Sequence, residues 1–269
     1  MQLKDARVTV MGLGQFGGGL GVTRWLLARG ARVLLTDRDP RERLERPLAE
    51  LAEACESGAV TLRLGGHDER DFADADLVVA NPAVPVPWDN AYLRAAREAG
   101  TPVTTEIRLA VDEHDRDRTE ADTGSAGKSS TSSMIALLLD DAPRTARLGG
   151  NIGGSLLGAA ARPGEWTVLE LSSAMLWWLG EGAALAGQAP WSPRVAVLTN
   201  LAPNHVDCTG RSRTTADRRA PSARRSGRAT RSSRSSTASS RRPRPSARPS
   251  AAHGGRARTC RATTSSRRS

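Results

Sequence analysis

The residues best equipped for chemistry lie in 123–131, which reads Thr-Gly-Ser-Ala-Gly-Lys-Ser-Ser-Thr. Gly124 and Gly127 leave backbone N–H groups free to wrap an anion. Lys128 adds a mobile positive charge, and Ser129 a hydroxyl suited to Mg²⁺. Met134, Ile135, Leu137 and Leu138 follow at helical spacing, so 132–139 should be a helix whose N-terminus points its dipole at the same anion. The common phosphate loop has a glycine five positions before its Gly-Lys pair, and Asp122 stands there instead. Further along, Glu170 sits near the end of the apolar run 167–171, and His205 just past the run 194–199. In a parallel sheet such strand ends lie beside the phosphate loop, where a carboxylate and an imidazole could ligate a metal between phosphates. Taken singly, Glu170 reads as a strand-end carboxylate and His205 as a loop histidine bonded to backbone. Alongside Lys128 they read as a set.

A second candidate lies near the N-terminus. Arg7–Met11 reads as a buried strand, followed at once by Gly12-Leu-Gly-Gln-Phe-Gly17. A helix through Leu20, Trp25, Leu26 and Leu27 runs to Gly30, and a strand over 32–36 ends at Asp37. This is the strand–turn–helix–strand context of a nucleotide-binding glycine turn, with Asp37 placed for a ribose or base. A tight turn that binds nothing, or an NAD-dependent oxidoreductase, would explain the same residues. The elements that must position these groups continue the alternation. A helix carries Leu44, Leu48, Leu51 and Ala52, and a strand follows over 60–64. Another strand over 76–80 ends in Asn81-Pro-Ala-Val-Pro85, and a helix over 91–99 is capped by Gly100 before Pro102-Val-Thr leads to Glu106. The pattern predicts an α/β fold with parallel sheets, in which Gly12, Asp37 and Asn81 share one rim. Residues 111–122 are nearly all charged, so they read as a linker, with the strand expected before a phosphate loop missing.

Composition bounds the rest. The chain has 269 residues, enough for two ordinary domains. No apolar run approaches the ~20 residues of a membrane helix, and the N-terminus has no secretory pattern. Cys55, Cys208 and Cys260 are odd in number and lack ligand-like spacing, which predicts a reducing, cytoplasmic setting without disulfides or zinc. Residues 211–269 hold 18 Arg against one acidic residue, Asp217. This gives them +17 and leaves −7 for 1–210, out of a total of +10. The tail contains no Val, Ile, Leu, Met, Phe, Trp or Tyr, so it should be disordered. It reads either as an arm that binds nucleic acid through phosphates, without aromatics for stacking, or as GC-rich coding sequence translated out of frame, the second being favoured.

Taken in order, the motifs of 1–210 resemble the Mur ligases, in particular the branch that adds D-glutamate in peptidoglycan synthesis. They are Gly12-Leu-Gly-Gln-Phe-Gly17, Asn81-Pro-Ala-Val-Pro85, Gly100-Thr-Pro-Val-Thr-Thr-Glu-Ile107, Thr123-Gly-Ser-Ala-Gly-Lys-Ser129, Gly150-Asn-Ile-Gly153, Glu170-Leu-Ser-Ser173 and Asn200-Leu-Ala-Pro-Asn-His205-Val-Asp207. The resemblance implies a Rossmann-like domain over 1–115 that holds the UDP of UDP-N-acetylmuramoyl-L-alanine through Gly14, Gln15, Phe16, Gly17, Asp37, Arg38 and Asn81. It implies a central ATP-binding domain over 116–210, incomplete in this chain, and the disordered tail over 211–269. Gly124, Ser125, Ala126, Gly127, Lys128, Ser129 and Ser130 would bind ATP phosphates. Ser129, Glu170 and His205 would hold Mg²⁺, Asn151 would contact the muramoyl-alanine portion, and Lys128, Glu170 and His205 would be catalytic. ATP would phosphorylate the substrate carboxylate, and D-glutamate would attack the acyl phosphate. The same resemblance expects a carbamylated lysine beyond His205 and a third domain. The only lysines are Lys4 and Lys128, so little ligase activity is expected of this chain. A monomer without membrane association is favoured. Other readings are a different ATP-dependent amide ligase such as folylpolyglutamate synthase, or nucleic-acid binding through the tail.

Overall fold

Each apolar run read as a strand does pair, and always in parallel. The computed structural model describes residues 2–14, 17–142, 144–158 and 162–202. His205 and the Arg-rich tail lie outside the described residues, as do Gln15 and Phe16. The first sheet holds β1 (Arg7–Met11), β2 (Arg32–Asp37), β3 (Val60–Leu64), β4 (Leu77–Ala80) and β5 (Val103–Thr105), in the order β3-β2-β1-β4-β5. Val10 sits between Leu35 of β2 and Val79 of β4, all three buried. The chain leaves β1 for β2 on one side and reaches β4 on the other. This reversal opens a crevice at the strand C-termini, where ligands of such sheets bind.

Between these strands run α1 (Gly18–Leu27), α2 (Glu45–Ala49), α3 (Ala52–Glu56), α4 (Glu69–Ala73), α5 (Ala91–Glu98) and α6 (Glu106–Glu113). The helix expected across 44–52 is two short ones. The break at Leu51, outside helical geometry with φ −115° and ψ 7°, lets Leu44, Leu48 and Leu51 all reach the core. Asn90 caps α5 by accepting from Leu93 N, and Thr105 caps α6 by accepting from Arg108 N.

The second sheet holds β6 (Thr119–Thr123), β7 (Ala146–Gly150), β8 (Trp166–Glu170) and β9 (Val195–Leu198), in the order β7-β8-β6-β9. α7 (Lys128–Asp141) follows β6, and α8 (Ser173–Leu179) follows β8. The reading of 111–122 as a linker is therefore corrected. Its first residues complete α6, and its last form β6, which pairs with β8 and β9 and is buried throughout. A count of charges hid a period of two. Ala121 joins the core, while Glu120 and Asp122 point to the opposite face. That face lies under α7, whose Ser132 is buried and bonds to Asp122.

α7 itself departs from the usual amphipathic arrangement. It turns Ser132 inward and leaves Met134, Leu137 and Leu138 between 62% and 69% exposed. The sheets share one hydrophobic cluster. It runs from Val8, Leu26 and Leu35 through Ile107 to Ala121, Leu169, Leu171 and Leu176. Both sheets belong to one compact unit.

Candidate functional site

The glycine turn after β1 is built on Asp37, the last residue of β2. Its Oδ2 accepts from Leu13 N (2.8 Å) and Gly14 N (3.1 Å), and its Oδ1 from Asp39 N (2.9 Å). The carboxylate read as a ribose or base contact thus holds the turn in shape. Gly17 takes up the left-handed conformation at the start of α1. Beyond β4, Asn81 closes a turn by accepting from Ala83 N (2.9 Å). These strand ends border a cleft of about 810 Å³ whose walls include Leu13, Gly14, Asn81, Glu106, Asn151 and Ser172. Gly14, Asn81 and Asn151 are brought together there from both sheets. Asp37 and Arg38 do not line it, though Asp39 does. A second, more open depression lies at the opposite, N-terminal ends of the second sheet's strands, where Asp115, Arg118, Arg144 and Trp166 meet. It contains none of the residues singled out by sequence and sits at the end of a parallel sheet that ligands avoid.

The loop from Thr123 to Lys128 turns into α7 at Gly127, whose φ of 80° a side chain would strain. Asn200, just past β9, clamps this loop. Its Oδ1 accepts from Ser125 N (3.1 Å) and Ala126 N (3.0 Å), and its Nδ2 donates to Ala126 O (2.8 Å). Thr199 Oγ1 donates to the same carbonyl (2.7 Å). Lys128 Nζ donates to Gly124 O (3.1 Å), which folds the ammonium over the loop. Ser130 is exposed on the first turn of α7. Sequence reasoning did not assign Asn200 or Thr199 a role. The available signal was that Thr199 ends an apolar run and Asn200 opens the motif that follows it, Asn200–Asp207.

Glu170 is 1% exposed, and each of its carboxylate oxygens accepts one hydrogen bond. Ser129 Oγ donates to Oε2 (2.6 Å), Asn151 Nδ2 donates to Oε1 (2.8 Å), and Asn151 N donates to the Glu170 carbonyl (2.8 Å). Asn151 therefore belongs to both places: it lines the cleft and, through Glu170, reaches the serine that opens α7. Beside them on β6, Asp122 lies in register with Glu170. Burial pushes its carboxyl up to about 6; the Ser132 hydrogen bond opposes this, the Glu170 charge adds to it, and Lys128 opposes it. Glu120, with both carboxylate oxygens buried and unpartnered, is pushed up to about 8 by burial and then by Asp122.

A hydroxyl and a carboxylate side by side next to the Gly124–Lys128 loop are hard oxygen donors of the kind Mg²⁺ takes when waters and phosphate oxygens complete its shell. Among the described residues no group of three His, Cys, Asp or Glu could hold a metal ion, so such a site would depend on phosphate oxygens. No helix among them is long and apolar enough to cross a membrane.

Two family models match the chain in succession. The family model described as Mur ligase MurD-like, N-terminal domain, matches residues 6–105, and that described as Mur ligase middle domain matches residues 123–217. The chain is 39% identical over 208 residues to the UDP-N-acetylmuramoylalanine--D-glutamate ligase of Anaeromyxobacter dehalogenans, covering 77% of this chain and 41% of that protein. It is 37% identical over 212 residues to the protein of the same name in Geobacter metallireducens, covering 77% and 42%. It thus spans less than half the length of these relatives. Among solved structures, the UDP-N-acetylmuramate:L-alanyl-gamma-D-glutamyl-meso-diaminopimelate ligase of Neisseria meningitides matches with a TM-score of 0.49 at 18% identity, over 81% of this chain and 68% of that one.

Proposed function

This chain belongs to the Mur ligase family, and from that premise we propose that it is the UDP-substrate and ATP-binding portion of a ligase that joins D-glutamate to UDP-N-acetylmuramoyl-L-alanine. The cleft at Leu13, Gly14, Asn81 and Asn151 takes the UDP-linked substrate, within residues 1–115 and the loop after β7. The loop Gly124–Ser130 takes the phosphates of ATP, within residues 116–210. One observation carries the reading: the continuous hydrogen-bonded path Asn151–Glu170–Ser129, which ties the cleft wall to the phosphate loop. A hydride-transferring enzyme has no use for that path; a phosphoryl transfer from one site to a carboxylate in the other does.

The substrate carboxylate is a poor electrophile. In the proposed first step its oxygen bonds to the γ-phosphorus of ATP as the bond to the ADP oxygen breaks. The amine of D-glutamate then attacks the acyl carbon, phosphate leaves with the bonding pair, and the amine proton passes to water. Lys128 offsets charge on the transferring group, and the loop amides orient it. Glu170 holds Ser129 and Asn151 in fixed relation. Mg²⁺, when bound, supplies positive charge to the phosphate oxygens; Ser129 and Glu170 would hold it, with His205 as the further expected ligand.

Titration calorimetry tests this. The chain should bind MgATP and UDP-N-acetylmuramoyl-L-alanine, and Lys128→Ala should weaken MgATP roughly tenfold or more, about 1.4 kcal/mol, while leaving the UDP ligand alone. Binding of NADH in place of the UDP ligand would sink the reading in favour of an oxidoreductase. Phosphate release with ATP, the UDP substrate and D-glutamate together is expected to be low, because the lysine awaited beyond His205 has no counterpart. Robust turnover would overturn that expectation.

A further inference from the structure

Ser155 occupies an unusual place between the sheets. The loop after β7 carries Asn151 past the cleft and then sets Ser155 directly on α1, at Gly21. A Cβ on Gly21 would come within 2.7 Å of Ser155 Oγ and closer still to its Cβ. Nothing larger than glycine therefore lets the loop approach this far. On its other side Ser155 Oγ donates to Glu106 Oε1 (2.6 Å), at the first turn of α6, and accepts from Leu157 N (3.2 Å). Both capacities of the hydroxyl are thus used. Leu156 and Leu157, the next two residues, are buried in the cluster that both sheets share. Glu106 is itself a buried member of the cleft wall, and the reaction described above gives neither Glu106 nor Ser155 any task.

We propose that Ser155 and Glu106 are positioning residues of the cleft: the peg of Ser155, seated on Gly21 and held by Glu106, sets how far the second sheet's loop stands from the first sheet, and so where Asn151 meets the ligand. Asn151 lies four positions before the peg, and the loop between them, Ile152-Gly-Gly, has little side-chain packing to hold it. Without the peg, Asn151 would keep its bonds to Glu170 but lose its fixed distance to Leu13 and Gly14. The effect should fall on the UDP ligand and spare the nucleotide, because Asn200 and Gly127 hold the phosphate loop independently. Burial pushes the Glu106 carboxyl upward, with the Ser155 hydrogen bond opposing. Glutamine keeps an accepting oxygen at the position of Glu106 Oε1, within reach of Ser155 Oγ.

The inference rests on the reading of this cleft as the UDP-substrate site, so two readouts are needed on the full chain. Hydrogen exchange by mass spectrometry reports the loop without any ligand, and calorimetry with UDP-N-acetylmuramoyl-L-alanine and with MgADP reports binding. Ser155→Ala and Glu106→Ala should each speed exchange across 150–157 while β1 and β4 stay protected. Each should weaken the UDP ligand by roughly five- to twentyfold and MgADP by less than about twofold, and the double variant should be no worse than the poorer single. Glu106→Gln should retain most of the affinity. Unchanged exchange in both alanine variants, additive losses, or an equal loss of MgADP would overturn the proposal. If the unsubstituted chain binds no UDP ligand, the functional reading fails, and the exchange data alone still decide whether the peg exists.

Discussion

Glu120 is the residue whose environment most opposes its chemistry. It is 4% exposed, neither oxygen has a hydrogen-bond partner, and burial lifts its carboxyl from an ordinary 4.5 to about 8. The folded chain therefore keeps a proton that the unfolded chain has released. Its contribution is neutral below about pH 4.5, and stability is lost progressively as pH rises toward about 8, after which the penalty is constant. Asp122 acts in the same direction between its ordinary 3.8 and about 6. Glu120→Met keeps the length and removes the charge. It should raise stability at pH 8 by on the order of 2–4 kcal/mol, with the gain shrinking toward pH 4.5. Urea unfolding at pH 5 and pH 8 measures this. An equal gain at both would attribute the effect to packing rather than ionisation. Nothing in the local sequence marked Glu120 as buried, because only pairing between β8 and β9 places its strand in the interior.

Among the elements, the Gly124–Lys128 loop shows how a short motif depends on a distant one. The residue types of Gly124, Gly127, Lys128 and Ser129 announced it, yet its shape is held by Asn200, which is 75 positions from Ser125. Replacing Asn200 with alanine removes the side-chain acceptor of the Ser125 and Ala126 amides and one of two donors to the Ala126 carbonyl, while Thr199 Oγ1 still reaches that carbonyl and the residue 200 backbone carbonyl still reaches Ser125 N. The expected cost is about 1–2 kcal/mol of stability, together with weaker MgADP binding through lost preorganisation. Thermal unfolding and calorimetry on the same variant check both, and MgADP affinity that held or rose would show that Asn200 competes with phosphate for the amides instead of shaping the loop. β6 was hidden for a related reason. Its alternation runs Thr119, Ala121, Thr123 against Glu120, Asp122, so the face that meets the core is small and the face that meets α7 is charged. The usual apolar signature of a buried parallel strand is absent.

At the scale of the molecule, the apolar face of α7 is, among the described residues, the surface most at odds with a solvated exterior. Met134, Leu137 and Leu138 stand well exposed, so they contribute little to the fold and favour self-association. Leu137→Ser with Leu138→Ser should move the melting temperature by no more than about 2 °C while lowering the apparent mass in light scattering at high concentration. A large loss of stability would mean that this face is covered in solution. The sequence by itself determined most of the elements, their parallel α/β order, and the two turns rich in glycine, because each rests on short-range properties: a period of two or 3.6, a φ only glycine accepts, a cap one turn away. It also carried the family resemblance through the order of those turns. Tertiary structure alone decided that a charged segment is a central strand, that Asp37 braces the turn after β1, that Asn200 shapes the Gly124–Lys128 loop, and that Ser155 rests on Gly21. Each of these is a contact between residues far apart in the chain, and a local pattern carries no record of which distant group will arrive to satisfy a hydrogen bond or fill a missing side chain.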